Sequence, residues 1–106
     1  MAMQSINNDN FEAEVLQSEK LVIVEFFSDD CVPCKRMSPV LAELEDEYTE
    51  VKFVKLNIGF GAETAQKYGV MSSPTFVFFK DGNEIKRVRG VIARDEFEDI
   101  IEEVSA

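Results

Sequence analysis

The chain's only two cysteines, Cys31 and Cys34, are separated by two residues in the run Asp29-Asp30-Cys31-Val32-Pro33-Cys34-Lys35. An apolar run that reads as a buried strand precedes them and an apolar pattern with helical spacing follows, so both thiols fall at one strand-to-helix junction. The unpaired N–H groups that open a helix point at incoming negative charge, and the macrodipole adds roughly half a positive unit. That field favours a thiolate. A pKa moved from near ~8.5 to near ~7 raises the reactive fraction at neutral pH from about 3% to about half. The competing use of such a pair is a zinc site, which needs four ligands, usually cysteine and histidine. The sequence has no histidine and no second cysteine pair, so only a dimer sharing two pairs could build one.

A second candidate for chemistry is Glu25, the one charged residue in Leu21–Phe27. Burying a bare carboxylate is costly, so its pKa is expected to rise toward neutrality. A carboxyl that holds or releases a proton near pH 7 suits a general base for a neighbouring thiol. The alternative is a head group that escapes to solvent or pairs structurally.

These residues need elements to position them. Ser5 and Ile6 suggest a short edge strand. Asn7, Asn8 and Asp9 offer capping side chains ahead of Phe11, Val15 and Leu16, whose spacing predicts a short amphipathic helix. Leu21–Phe27, continuous and β-branched, predicts a central strand covered on both faces. Cys34, Met37, Leu41, Leu44 and Tyr48 mark one face of a long helix, with Pro33 suited to its first turn and Pro39 predicting a kink. Val51–Asn57 reads as the next strand, and a helix between adjacent strands argues for a parallel crossover. A loop over Gly59–Gly61 leads to a short helix, Ala62–Tyr68, ended by Gly69. Thr75–Phe79 and Ile85–Gly90 flank Asp81-Gly82-Asn83, a hairpin turn signal. Asp95–Val104 closes the chain as a helix with Phe97, Ile100, Ile101 and Val104 on one face and a poor cap at Ala93. The order is β-α-β-α-β-α-β-β-α, an α/β chain with a mixed sheet between helices.

At 106 residues the chain has room for one domain, 1–106, with a single layered core. Its 11 basic and 21 acidic residues give a formal charge of −10, which repels phosphate backbones and anionic membranes, so nucleic-acid and membrane binding are not expected. Met1-Ala2-Met3-Gln4-Ser5 lacks a basic segment and an apolar stretch of secretory length, and no later run is long enough to cross a bilayer. A cytoplasmic location is expected. In a reducing compartment a close cysteine pair points to catalysis or metal binding rather than to a structural staple.

The ordered set of Glu25, Cys31-Val32-Pro33-Cys34-Lys35, Pro39, Lys55-Leu56-Asn57, Lys67-Tyr68-Gly69-Val70, Ser73-Pro74-Thr75, Phe79-Lys80-Asp81-Gly82 and Gly90 resembles the thioredoxin family over nearly the whole chain. The pKa near ~7 used above belongs to that family and does not follow from this sequence. The resemblance implies the thioredoxin fold, a three-layer αβα sandwich around a mixed five-stranded sheet. It implies a monomeric protein dithiol-disulfide oxidoreductase that needs no bound cofactor or metal. Its partners would be protein disulfide substrates and a thioredoxin reductase, NADPH- or ferredoxin-linked. Cys31 is expected to be the exposed attacking thiolate and Cys34, one turn into the helix, the more covered resolving thiol. Glu25 matches an aspartate that serves the resolving cysteine as base, and Lys55 matches the lysine near it.

Ser73-Pro74-Thr75 matches the family's cis-proline loop, which offers backbone groups to an extended substrate. Without the resemblance a trans turn proline would be the better expectation. Met71, Ser73, Pro74, Gly90 and Val91 are therefore the expected substrate rim. Met71 could equally be core filler, and the Ser73 hydroxyl could bond a substrate or a thiol. Val32, Pro33 and Asp30 are the residues expected to tune the pair. Val32 replaces a glycine, Asp29-Asp30 replaces a Glu-Trp or similar pair, and the chain has no tryptophan. Carboxylates at about 7 Å would each oppose the thiolate by roughly 0.6 kcal/mol, similar to what the helix terminus contributes in its favour. These departures leave a second reading, a thioredoxin-fold binding module with little redox activity.

Overall fold

The computed structural model describes residues 3–105; Met1 and Ala2, part of the N-terminal stretch read above, lie outside them. Five strands form one sheet: β1 (Gln4–Ile6), β2 (Leu21–Phe27), β3 (Val51–Asn57), β4 (Thr75–Lys80) and β5 (Asn83–Arg89). Their spatial order is β1-β3-β2-β4-β5. β1 and β2 run parallel to β3, whereas β4 runs antiparallel to both β2 and β5. The helices are α1 (Val32–Glu47), α2 (Ala62–Lys67) and α3 (Arg94–Ser105). This is the mixed five-stranded sheet between helical layers that the sequence predicts.

Strand alternation sorts the core into two layers. Val22, Val24 and Phe26 of β2 join Val54 and Leu56 of β3 beneath Phe11, Val15 and Ala65. Leu21 and Ile23 join Val51 and Phe53 beneath Met37, Leu41 and Leu44 of α1 and Phe97 and Ile101 of α3. Glu25 and Lys55 share the parity of Ile23 and Phe53. Both therefore project from the face that α1 covers, side by side at the register pair Glu25–Lys55.

Cys31 is the N-cap of α1 and Pro33 lies in its first turn, where a missing N–H is harmless. The helix continues through Pro39 to Glu47. At its far end Arg94 of α3 pairs with Glu43 and Glu47 of α1 and with Glu98 of its own helix, docking α3 beside α1.

Local structure departs from expectation in two places. The segment Glu12–Leu16 forms a π-helical turn rather than an α-helix. The Gln17 N–H donates to the Glu12 carbonyl, five residues back, at 3.0 Å, and the Gln17 side chain reaches the Glu12 carboxylate at 3.2 Å. The wider ring lets both pairs form at one spacing, while Phe11 and Val15 still reach the core. The β4–β5 hairpin is tighter than the sequence suggests because Asp81 and Gly82 both adopt positive φ, 52° and 81°, the geometry of a two-residue turn. β5 consequently begins at Asn83.

Among the described residues no helix is long and apolar enough to cross a membrane.

Candidate active site

The site lies where β2 and β3 end and α1 begins, at the carboxyl edge of the two central parallel strands. Cys31 and Cys34 are joined as a disulfide, with Cα atoms 5.2 Å apart. The Cys34 N–H points at the Cys31 sulfur and donates to it at 3.1 Å. This is the first-turn N–H that a helix leaves unpaired, here aimed at the Cys31 sulfur. The Cys31 N–H itself is held by the Ser28 carbonyl at 3.3 Å, and the Lys35 N–H closes the first turn on the Cys31 carbonyl.

The expected contrast in exposure between the two cysteines is absent. In the disulfide both are buried, each with 6% of its surface accessible. The S–S bond folds the Cys31 side chain back over the helix start, so its sulfur turns toward Cys34 rather than outward. Its solvent-facing surface opens into a cavity of about 200 Å³ that both cysteines line with Glu25, Phe27, Ser28, Asp29, Lys35, Ser38 and Lys55.

Glu25 is 5% exposed. Burial drives its pKa up to about 7, against the opposing attraction of Lys55. Desolvation penalises the carboxylate more than a partly solvated ammonium on the next strand relieves it. Lys55 is half-buried, with its ammonium 5.5 Å over the Phe27 ring. The rise in pKa expected from the sequence is thus present, and its head group lies in the cavity shared with Cys34, not in bulk solvent. A cavity of this size with carboxylate, ammonium and hydroxyl groups in its wall is large and polar enough to admit water.

The loop Met71–Pro74 approaches from the other side of β2. The Ser73–Pro74 peptide bond is cis. The Thr75 hydroxyl donates to the Ser72 carbonyl at 2.8 Å, and the Gly90 N–H donates to the Pro74 carbonyl at 2.8 Å, which brings the loop beside Gly90 and Val91. The Ser73 hydroxyl bonds the Ser28 hydroxyl at 3.0 Å. Its partner is therefore within the protein, where the sequence suggested a substrate or a thiol. Met71 is 95% exposed, which removes the core-filler alternative. Val32, Pro33, Gly90 and Val91 are open or partly open to solvent at the same edge.

Of the two acids ahead of Cys31, Asp29 lines the cavity and accepts a hydrogen bond from the Asn57 amide at 2.9 Å. Asp30, which the sequence reading favoured, is exposed in the turn and does not line the cavity. Ser28, Ser38 and Phe27 also belong to the wall without having been singled out. Phe27 shares the parity of Glu25 and Ser38 lies one helical turn beyond Cys34, two signals that the sequence did contain. Among the described residues no group of three or more Cys, Asp or Glu is arranged to hold a metal ion.

A protein-family model described as Thioredoxin matches residues 2–103. The chain is 40% identical over 88 residues to a thioredoxin of Streptomyces clavuligerus, covering 83% of this chain and 82% of that protein. It is 37% identical over 97 residues to thioredoxin C-2 of Corynebacterium nephridii, covering 91% and 90% of the two. Against thioredoxin-2 of Saccharomyces cerevisiae the identity is 34% over 90 residues, covering 85% and 86%.

Proposed function

The chain belongs to the thioredoxin family and is a dithiol-disulfide oxidoreductase, and we propose that Cys31 opens each cycle and Cys34 closes it, with Glu25 accepting the Cys34 proton. Substrates of such an enzyme are protein disulfides, and a reductase restores its thiols.

In this mechanism the Cys31 thiolate attacks one sulfur of the substrate disulfide. The substrate S–S bond breaks, one substrate cysteine leaves as a thiolate and takes up a proton from solvent, and the other is held in a mixed disulfide with Cys31. Glu25, as carboxylate, accepts the Cys34 proton through the shared cavity. The Cys34 thiolate then attacks the Cys31 sulfur, releases the second substrate thiolate, which takes up the proton held by Glu25, and leaves the Cys31–Cys34 disulfide. Two electrons have passed to the substrate and none to Glu25. Lys55 keeps part of the Glu25 population ionised near neutrality, which a base needs. Two electrons from the reductase, NADPH- or ferredoxin-linked, reset the pair.

The observation that carries this assignment is the Cys34 N–H directed at the Cys31 sulfur. It stabilises negative charge on one cysteine of the pair and not on the other. The remaining assignments rest on position. Met71, Ser73, Gly90 and Val91 form the rim that receives the substrate backbone, with Pro74 buried beneath it and its cis bond setting the course of the loop, and Val32, Pro33 and Asp30 shape the loop around the pair. The reading places the protein, as a monomer of one domain, in the cytoplasm, where reductases hold such pairs reduced. Insulin reduction driven by dithiothreitol is the test. Turnover faster with the protein than without it is expected, and equal rates refute the assignment.

A further inference from the structure

The cysteine edge of the sheet carries an apolar contact that the mechanism does not use. β2, β3 and β5 end at this edge and β4 begins there, so each of four neighbouring strands delivers one loop to it. Each connection presents one exposed large apolar side chain: Phe60 after β3, Val32 at the start of α1 after β2, Met71 before β4 and Val91 after β5, at 82%, 59%, 95% and 51% exposure. Among the described residues only one other large apolar side chain is exposed, Ile85, near the opposite end of the sheet. Single exposed apolar residues are ordinary, but four on adjacent loops around a reactive pair are not scattered.

Phe60 is also held in place. The Gly59 and Phe60 N–H groups both donate to the Asn57 side-chain oxygen, at 2.7 and 3.3 Å, and the Gly61 N–H donates to the Asn57 carbonyl at 2.7 Å. The Asn8 amide donates to the Phe60 carbonyl at 3.5 Å. Gly61 sits so close to the core that an added Cβ would lie 2.4 Å from a Leu56 methyl. The other end of the same Asn57 side chain bonds Asp29 in the cavity wall. One amide therefore ties the Phe60 loop to the loop that carries Cys31. A ring presented on a pinned loop loses little freedom when a partner covers it.

We infer that Phe60 is a specificity-determining contact that receives an apolar side chain of a protein substrate, close in sequence to the cystine under attack. The inference rests on the oxidoreductase reading. A substrate must bring a sulfur to Cys31, so its flanking chain is carried over this edge, and the continuous rim from Val91 through Met71 and Val32 leads it toward Phe60. Phe60 does not line the cavity at the cysteines, so it is the chain flanking a protein cystine, and not a small disulfide, that it is placed to meet. In a chain without tryptophan, Phe60 supplies the aromatic surface on the β3 side of the pair.

The test compares insulin with oxidised glutathione, each reduced with dithiothreitol as electron source. Phe60→Ser is expected to lower the ratio of kcat/KM for insulin to that for glutathione by about tenfold, the usual scale of an aromatic interface contact. Phe60→Trp is expected to restore the ratio. Combined with Cys34→Ser, its single tryptophan is expected to shift its emission to the blue when Cys31 is trapped on an insulin chain and to stay unshifted when it is trapped on glutathione. An unchanged ratio, or the same emission in both adducts, overturns the inference. So does a loss seen only when a thioredoxin reductase replaces dithiothreitol as electron source, which would assign Phe60 to that partner. A wild-type protein that reduces neither disulfide refutes the oxidoreductase reading itself, a result distinct from all of these.

Discussion

A buried acid that keeps its proton near neutrality makes folding depend on pH, and Glu25 lets that dependence be worked out. Its pKa is about 7 in the folded chain and 4.5 as an ordinary side chain. Between those values the folded state keeps a proton that the unfolded state has released, so stability falls as pH rises through this window. The full difference corresponds to about 3 kcal/mol, most of which is lost between pH 5 and pH 8. Other carboxylates contribute their own slopes, so the quantity to measure is the difference between wild type and Glu25→Gln. Denaturant unfolding of the oxidised protein at half-unit pH steps supplies it, because the disulfide does not titrate. The difference is expected to favour wild type least at pH 8 and to flatten above about pH 8 and below about pH 4. In Lys55→Met the opposing attraction is gone and the window is expected to extend to higher pH. Stability curves for wild type and Glu25→Gln that run parallel from pH 5 to 8 would refute the reasoning, since they would mean that the folded protein does not hold this proton.

Two further predictions concern the site. Cys34→Ser removes the resolving thiol and is expected to accumulate mixed disulfides on Cys31 with a protein substrate, visible by mass spectrometry of the intact adduct; adducts at neither position would contradict the assigned roles. The Ser28–Ser73 hydroxyl pair joins the cysteine loop to the cis-proline loop. A double-mutant cycle with Ser28→Ala and Ser73→Ala, read by denaturant unfolding of the oxidised protein, is expected to give a coupling of roughly 0.5–1.5 kcal/mol, whereas strictly additive losses would show that the pair contributes nothing to holding the loops together.

Much of this site was legible because strand parity is a strong constraint. Leu21, Ile23 and Glu25 must share a face once Val22, Val24 and Phe26 are core on the other, and helical spacing puts Cys34 in line with Met37 and Leu41. The π-helical turn was not legible, because the apolar residues Phe11, Val15 and Leu16 satisfy a four- and a five-residue ring alike. The cis Ser73–Pro74 bond was expected from family resemblance only; residue types near a proline do not distinguish the isomers strongly enough. The burial of Cys31 belongs to the disulfide-bonded state, and composition does not encode which state the pair is in. The choice between Asp29 and Asp30 was a tertiary matter as well. Asn57, at the end of a different strand, selects Asp29 by reaching it with an amide.

Glu25 also shows why the acid stays in position although it costs stability. A one-residue slip of β2 would turn it to the face beneath Ala65 and Val70, away from the cysteines, and would turn Phe26 toward α1. That slip is opposed by Val22, Val24 and Phe26, all fully buried in one layer, and by Leu21 and Ile23 in the other. Both faces of β2 are packed, so a slip would keep these five side chains out of water but set each into a layer shaped for another, at about 1–3 kcal/mol for each misfit, which together exceeds the ~3 kcal/mol that ionising Glu25 costs. The acid is thus placed by its neighbours' packing, and its proton affinity follows from that placement. Shifting the acid by one position along β2 would leave the composition unchanged and lose the shared cavity with Cys34, which makes position, more than acidity, the property on which the proposed proton transfer depends.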